Sequence, residues 1–431
     1  MFVSKTKFYK HQDDALKDTE GFNRVAYYLD MGLGKTFVGA EKMIRLGKRV
    51  NLVLCQKSKV DDWFEHLVDN YSNQGYSFLN LCKKKELEYF IEMTRPDATL
   101  KVVGVINYEL AWRRKDLLQL FDFTLMLDES SLIQNQKAKQ TKFILKLIPA
   151  NVILLSGTPS AGKYENLWSQ LHLLGWSINE KVYNNQYVNW KKIDSGDFTH
   201  RIVDKINPYK NVERLKRKLK EHGAVFMKTD EVFELPEQIF TKIKVNASKE
   251  YRKFEKNKVI EIDGIDLVGD TQLTERLHKR ELCGIYSNEK LIAFRDLVQS
   301  TKDRLIVFYN FNREVEKLKE ICVELERPIS VVNGAEKDLT AYETESDSVT
   351  LIQYQAGAMG LNLQKANKIV YYTIPDKSEL FEQSKKRIHR IGQSKPCFYY
   401  LLLVKNSVET NDILPTLKIR KDWSDELFKE D

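Results

Sequence analysis

Cysteine is scarce in this chain of 431 residues: there are five, at positions 55, 82, 283, 322 and 397, odd in number and with no Cys-x-x-Cys pair. That pattern disfavours a disulfide framework and a thiolate zinc site, and it fits a reducing compartment. Long apolar runs are missing as well. The longest, Phe398 to Val404, has the length of a strand, far below the ~18 residues that a membrane-crossing helix needs. Met1 to Lys7 carry no apolar core of a secretory signal, so nothing there is expected to export the protein, and a cytoplasmic location follows. Internal repeats and low-complexity tracts are absent too. What is there is 42% hydrophobic and 30% charged residues, a balance that excludes a disordered chain and an integral membrane protein. Lys plus Arg outnumber Asp plus Glu, 69 to 61, which permits a nucleic-acid partner without demanding one.

The length suits two large domains or about three average ones. Short runs of Val, Ile, Leu and Tyr, each followed by a helix-like stretch, predict an alternating α/β protein. In the first half they are Arg49 to Cys55, Lys101 to Tyr108, Phe123 to Leu127 and Asn151 to Leu155. In the second they are Arg304 to Tyr309, Ile329 to Val332, Val349 to Tyr354, Lys368 to Tyr372 and Phe398 to Val404. Their near-continuous apolar character is that of parallel strands covered on both faces. Between the two sets the texture turns to mixed charge with helical period, as in Val212 to Lys220, and predicts a helical insertion. The expected organisation is a first domain over 1–175, an insertion over 176–285, a second domain over 286–411 and a tail over 412–431.

Three groups of residues carry chemistry. Asp30-Met31-Gly32-Leu33-Gly34-Lys35-Thr36 opens a helix-period segment, which places its glycines and amides at a helix N-terminus, a phosphate-binding geometry. In a P-loop, Lys35 neutralises the β and γ phosphates and Thr36 puts its hydroxyl on Mg²⁺. The full GxxxxGK[ST] pattern fails at Leu29, and an ordinary glycine-rich turn has the same letters. Asp128-Glu129 end the apolar run Phe123 to Leu127; Asp128 suits Mg²⁺ and Glu129 suits the water that attacks the γ-phosphate. A solvated strand end would look alike, but the two signals together favour magnesium-dependent nucleotide hydrolysis. Arg387 and Arg390 lie three apart, on one face if helical, and their planar guanidinium groups suit the charge of a transferring phosphoryl group; a solvated basic face is the alternative.

In this order the blocks resemble superfamily 2 helicase-like ATPases, specifically the Swi/Snf family of double-stranded-DNA translocases. Asp30 to Thr36 resembles the family's motif I, and Phe8-Tyr9-Lys10-His11-Gln12 its adenine-reading segment, with Gln12 in the glutamine position. Leu52 to Ser58 with Trp63 is similar to motif Ia, Ile106-Asn107-Tyr108-Glu109 to motif Ib, and Asp128 to Asn135 to motif II, with Ser131 where His is usual. Ser156-Gly157-Thr158-Pro159 running into Asn166 to His172 resembles motif III, and Leu305 to Phe311 motif IV. Ala356 to Leu363 with Ala366-Asn367 resembles motif V. Arg387-Ile388-His389-Arg390-Ile391-Gly392-Gln393 is similar to motif VI almost letter for letter, and that setting separates this branch from RNA helicases.

The resemblance implies two RecA-like parallel-sheet domains in tandem with a helical insertion between them. It implies ATP and Mg²⁺ as cofactors, with Gln12, Gly32, Gly34, Lys35 and Thr36 on the nucleotide, Thr36 and Asp128 on the metal, and Lys35, Asp128, Glu129, Arg387 and Arg390 as the catalytic set in the cleft of the two lobes. Ser156, Thr158, Gly360 and Gln383 would couple that site to DNA, and Lys57, Ser58 and Asn107 would touch the DNA backbone. Lys216, Arg217, Lys218 and Lys220 could add charge to a duplex channel, although such a run is usually a solvated face. The implied activity is a monomeric, DNA-stimulated ATPase that moves along duplex or branched DNA, with specificity supplied by a protein partner. A strand-separating DNA or RNA helicase, or a nucleotide-dependent nucleic-acid-binding protein with little turnover, are the other readings. The trimmed second lobe, where Asn333-Gly334-Ala335 leads into a short acidic stretch, argues against chromatin remodelling and looks like a bacterial member or a viral one working in the host cytoplasm.

Overall fold

The strand that leads into the glycine-rich loop, β1 (Arg24–Leu29), is buried from Val25 onward. It lies inside a seven-stranded sheet with β2 (Val50–Cys55), β3 (Tyr76–Asn80), β4 (Lys101–Asn107), β5 (Thr124–Asp128) and β6 (Asn151–Leu155). A hairpin of β7 (Trp190–Ser195) and β8 (Phe198–Val203) follows, and β9 (Ala224–Met227) closes the sheet in the order β3-β4-β2-β5-β6-β1-β9. Every pairing in that sheet is parallel, in keeping with the near-continuous apolar character of most of its strands. The computed structural model describes residues 7–195, 198–357 and 361–428. These form two units: one holds the described residues up to Val232 together with those from Asp422 on, the other is Phe233–Lys421.

Three helices serve the first sheet: α1 (Lys10–Asp18), α2 (Lys35–Leu46) and α3 (Val60–Tyr71). Gly39 lets α2 approach β6 closely, because a Cβ there would stand 2.7 Å from a methyl of Leu155. The chain end also packs here. Trp423 meets Tyr209 edge-on at 5.0 Å, and Leu427 and Phe428 are buried in the same core. The segment expected as a tail is therefore helical over Leu414–Phe428, its last turns belonging to the first unit.

In the second unit β10 (Gln238–Val245), β13 (Leu305–Tyr309), β14 (Ile329–Val332), β15 (Lys337–Asp338), β16 (Val349–Gln353), β17 (Lys368–Tyr371) and β18 (Cys397–Val404) form a second sheet. Its order is β10-β18-β17-β13-β16-β14-β15, parallel except for the β14–β15 pair. A small hairpin, β11 (Val259–Ile262) with β12 (Ile265–Val268), stands apart in sequence order. The stretch expected to be helical thus also contains two hairpins and one strand for each main sheet. Its lysines explain the difference: β10 is an edge strand whose Lys242 and Lys244 alternate outward, a common edge protection that reads as helical mixed charge.

An ion pair lies inside this unit. Lys290 Nζ reaches both carboxylate oxygens of Glu409 at 2.8 and 2.9 Å, with the two residues 0% and 2% exposed. Removing one partner leaves the other charge in the core, so Lys290→Met is expected to destabilise the second unit by about 3–5 kcal/mol. The six tryptophans, at 63, 112, 168, 176, 190 and 423, all belong to the first unit. The variant should therefore lose circular dichroism at lower urea while tryptophan emission keeps its wild-type midpoint; an unmoved dichroism transition would show that the pair contributes little.

Candidate nucleotide site

Because β1, β5 and β6 run parallel and adjacent, with Tyr27 and Asp128 both opposite Leu155, the residues that follow them emerge at one edge of the sheet. Asp30 and the glycine-rich loop follow β1, Glu129 follows β5, and Ser156 follows β6. The carboxyl edge of a parallel sheet is where such folds place ligands. Cys55 and Asn107, which pair at the ends of β2 and β4, reach that same edge.

Gly34 begins α2 at φ +75° with no side chain capping the helix. A Cβ at this position would lie 2.2 Å from Gln12 Nε2, so only glycine fits. Gln12 is held on both sides: its Oε1 accepts from the Tyr9 amide at 3.0 Å and its Nε2 donates to Leu33 O at 3.1 Å. Lys35 Nζ donates to the carbonyl oxygens of Leu29 (2.9 Å) and Asp30 (3.2 Å), so its ammonium lies over the loop. Thr229, just past β9, donates to Asp30 Oδ2 at 3.1 Å and Met31 O at 3.3 Å and pins the loop from the far side.

Asp128 accepts from Trp63 Nε1 at 2.7 Å, and its backbone carbonyl accepts from Tyr108 OH at 2.9 Å. Burial pushes the Asp128 carboxyl above the ordinary value, opposed by the Trp63 hydrogen bond and the Lys35 charge. Glu129 turns out of the strand in the left-handed region, φ +53°, and accepts from Ser156 Oγ at 3.3 Å. Ser156 Oγ in turn accepts from the Thr158 amide at 3.2 Å. Gln170 ties the surroundings together: its Oε1 accepts from Ser130 Oγ (2.7 Å) and Tyr28 OH (3.0 Å), and its Nε2 donates to Pro159 O (2.8 Å).

These groups fit a magnesium nucleotide. The glycine cradle at Gly32 and Gly34, an uncapped helix N-terminus and a lysine over it match a phosphate chain. Thr158 Oγ1 is buried with no hydrogen-bond partner among the described residues, a donor facing no acceptor. Thr36 and Asp128 supply one hydroxyl and one carboxylate, the sparse protein set typical of a Mg²⁺ held mainly by phosphates and water.

Asp128 can hold a cation only when ionised, so in that role activity is expected to fall as pH drops through its folded pKa. Trp63→Phe removes a donor to the charged form, so the acidic limb of ATP turnover should move to higher pH with the alkaline limb in place. A pH–rate profile that superposes on wild type would exclude that role for Trp63.

The other candidates fall as follows. Lys57 and Ser58 are exposed on the 3₁₀ turn Lys57–Lys59. Asn107 is buried, its amide donating to Glu109 Oε2 (2.7 Å) and its carbonyl accepting from Cys82 Sγ (3.4 Å). Lys216 is also buried, paired with Glu213 at 3.1 Å and Glu426 at 3.6 Å.

In the second unit, the helix Ser378–Lys385 stops before the two arginines, which stand in a turn and a bend rather than on a helical face. The carbonyls that would continue the helix are taken elsewhere. Arg387 O accepts from the Leu363 amide (3.3 Å) and Ile388 O from Gln393 Nε2 (3.3 Å). Arg387 is buried and donates to Leu361 O at 3.3 Å; Arg390 is half-buried. Gln383 is buried and donates to Glu379 at 3.3 Å, while Gly360 lies outside the described residues.

Residues 28–294, more than half of the chain, match the SNF2-related domain, and residues 289–392 match the helicase conserved C-terminal domain. The chain belongs to the SNF2-related family, and each of its two units is built on a parallel-dominated seven-stranded sheet. It is 24% identical to a mouse SWI/SNF-related matrix-associated actin-dependent regulator of chromatin, subfamily A member 1, over 88% of this chain and 39% of the relative. It is 23% identical to the yeast ISWI chromatin-remodeling complex ATPase ISW1, over 93% and 38%. It is 22% identical to the uncharacterized ATP-dependent helicase YqhH of Bacillus subtilis, over 92% and 75%. The chain thus spans about two fifths of the mouse and yeast relatives' length. Among solved structures, the Sulfolobus solfataricus SWI2/SNF2 ATPase core in complex with dsDNA aligns at a TM-score of 0.45 and 17% identity, over 95% of this chain and 90% of that one. No helix of the described residues is long and apolar enough to cross a membrane.

Proposed function

We propose that this chain is an ATP-driven motor that moves along duplex DNA and remodels DNA structures or bound protein, working as a monomer in the cytoplasm with specificity supplied by a protein partner. The observation that carries the reading is the single sheet edge that gathers Lys35, Asp128, Glu129 and Ser156, in a chain of the SNF2-related family. In this reading Lys35, Thr36 and the glycine cradle bind the phosphates, and Gln12 reads the adenine from its place beside Gly34. Mg²⁺, held through Thr36 and Asp128, supplies positive charge to the phosphate oxygens. Glu129 accepts a proton from, or orients, the attacking water. Arg387 and Arg390 stabilise the charge of the transferring phosphoryl group.

Ser156 links Glu129 to the loop that carries Thr158, a route by which hydrolysis reaches the DNA track; Gly360 and Gln383 are the proposed couplers of the second domain. Lys57, Ser58 and Asn107 are assigned to DNA phosphates because a motor that passes over any sequence relies on backbone contacts. Residues 1–175 and 286–411 are proposed as the two motor domains. Steady-state ATP hydrolysis with no nucleic acid, single-stranded DNA, duplex DNA and RNA tests the reading. Stimulation by duplex is expected, whereas stimulation by RNA or single strands alone would replace it with a strand-separating helicase.

A further inference from the structure

The hairpin β7–β8 projects from a foot that is firmly held. Val188 bridges to Tyr209, Asn189 N donates to Pro208 O at 2.8 Å, and Asp204 N donates to Asn189 O at 2.8 Å. Tyr209 stacks on Tyr164 at 4.3 Å and its hydroxyl donates to Glu165 (2.9 Å) and Gly162 O (3.1 Å), four residues past Thr158. Below it, Tyr183 and Tyr187 of the helix Glu180–Tyr187 are fully buried.

Between this helix and the hairpin is a cleft of about 430 Å³ lined by Asn179, Lys181, Asn184, Asn185, Trp190 and Arg201. Antiparallel register places Trp190 opposite Val203 and Lys192 opposite Arg201, so the aromatic ring and two cations share one face. Trp190, the first residue of β7, is 37% exposed. Lys191, on the other face, is occupied by Asp204 at 3.1 Å. The one carboxylate that lines the cleft among the described residues, Glu180, faces the side-chain amide of Gln136. Asn184 and Asn185 add side-chain amides to the cleft lining.

An aromatic face, amide acceptors and donors, and clustered cations describe a ligand with a planar polar ring and an anionic group. We propose that this cleft holds an unpaired nucleotide of a nucleic-acid strand, its base on Trp190 beside the amides of Asn184 and Asn185 and its phosphate among Lys181, Lys192 and Arg201. Stacking on an aromatic ring tolerates every base, as a moving protein requires. This deepens the motor reading and rests on it: the cleft grips a strand where the duplex is open, and its foot stands on the loop that begins at Ser156.

The test compares wild type, Trp190→Ala, Trp190→Phe and Arg201→Glu in fluorescence anisotropy with a labelled single strand, the matching blunt duplex and free mononucleotides, with thermal unfolding as the check on folding. Trp190→Ala is expected to bind the single strand roughly 5- to 100-fold more weakly, with Trp190→Phe recovering most of the loss and the blunt duplex little affected. Arg201→Glu should weaken the single strand and flatten its salt dependence, which keeps the proposal testable if Trp190→Ala does not fold. Unchanged single-strand affinity in both variants overturns the cleft while duplex-stimulated hydrolysis leaves the motor reading standing. Trp190-dependent binding of a free mononucleotide, with strand binding unaltered, overturns the strand as its ligand. A wild-type chain that binds no nucleic acid overturns both.

Discussion

Glu129→Gln is expected to cut ATP turnover by roughly 10²- to 10⁴-fold while nucleotide binding survives. Glutamine keeps the size of the side chain and an oxygen for Ser156 Oγ, which stands 3.3 Å from the present carboxylate. It loses the charge to which the proposed reaction assigns the attacking water and its proton. Lys35, Thr36 and the loop around Gly34 are untouched, so affinity for a fluorescent ATP analogue should equal or exceed that of wild type, since one negative charge beside the phosphates is gone. The left-handed backbone at Glu129 is already strained for a side chain, and glutamine adds nothing to that strain. A chain that binds ATP and does not turn it over would be stalled on its DNA. Turnover close to the wild-type rate would remove Glu129 from the reaction and favour a nucleotide-dependent binding protein.

Lys35→Ala is the second large effect. Removing one preorganised positive donor from a site of developing phosphate charge costs about 10²- to 10³-fold in kcat. The loss should reach KM as well if, as proposed, the ammonium also binds the ground-state phosphates. There is a further consequence at Asp128. Burial raises that carboxyl and Lys35 is one of the groups that hold it down, so the variant should ionise Asp128 only at higher pH. Residual activity should therefore show an acidic limb displaced upward, in the same direction as Trp63→Phe. Steady-state kinetics across pH, with unchanged circular dichroism as the check on folding, measures both effects. Wild-type kcat and KM in this variant would sink the assignment of the glycine-rich loop as the nucleotide site.

How far the sequence reached depended on whether a signal is local. The strands Arg49 to Cys55, Phe123 to Leu127 and Asn151 to Leu155 were legible because each is a nearly continuous apolar run bounded by polar residues. β1 escaped, although Val25 to Leu29 are buried, since two tyrosines and the adjoining glycine-rich loop disguise it. β3 is half-exposed and β10 carries lysines, so neither shows the pattern of a covered strand. The helical face considered for Arg387 and Arg390 did not form for a different reason: backbone carbonyls there are claimed by the Leu363 amide, from outside the segment, and by the side chain of Gln393 at its end. Trp63 and Gln170 lay inside recognised strings, yet nothing in those strings said that one would hold Asp128 and the other would join β1 to the segments after β5 and β6. Thr229 had no signal at all.

By itself, then, the sequence determined the elements whose work is done by neighbouring residues. The proposed phosphate cradle is built from two closely spaced glycines, amides and one lysine, and the acidic strand end from two adjacent carboxylates, so each is written in a few letters. The tertiary structure alone decided who stands beside them. Trp63 and Asp128 are 65 positions apart and Thr229 and Asp30 are 199 apart. They meet because β9 pairs with β1 and because β2, β5 and β6 run side by side, and strand order of that kind is set by the burial of whole sheets, which no short stretch of residues encodes.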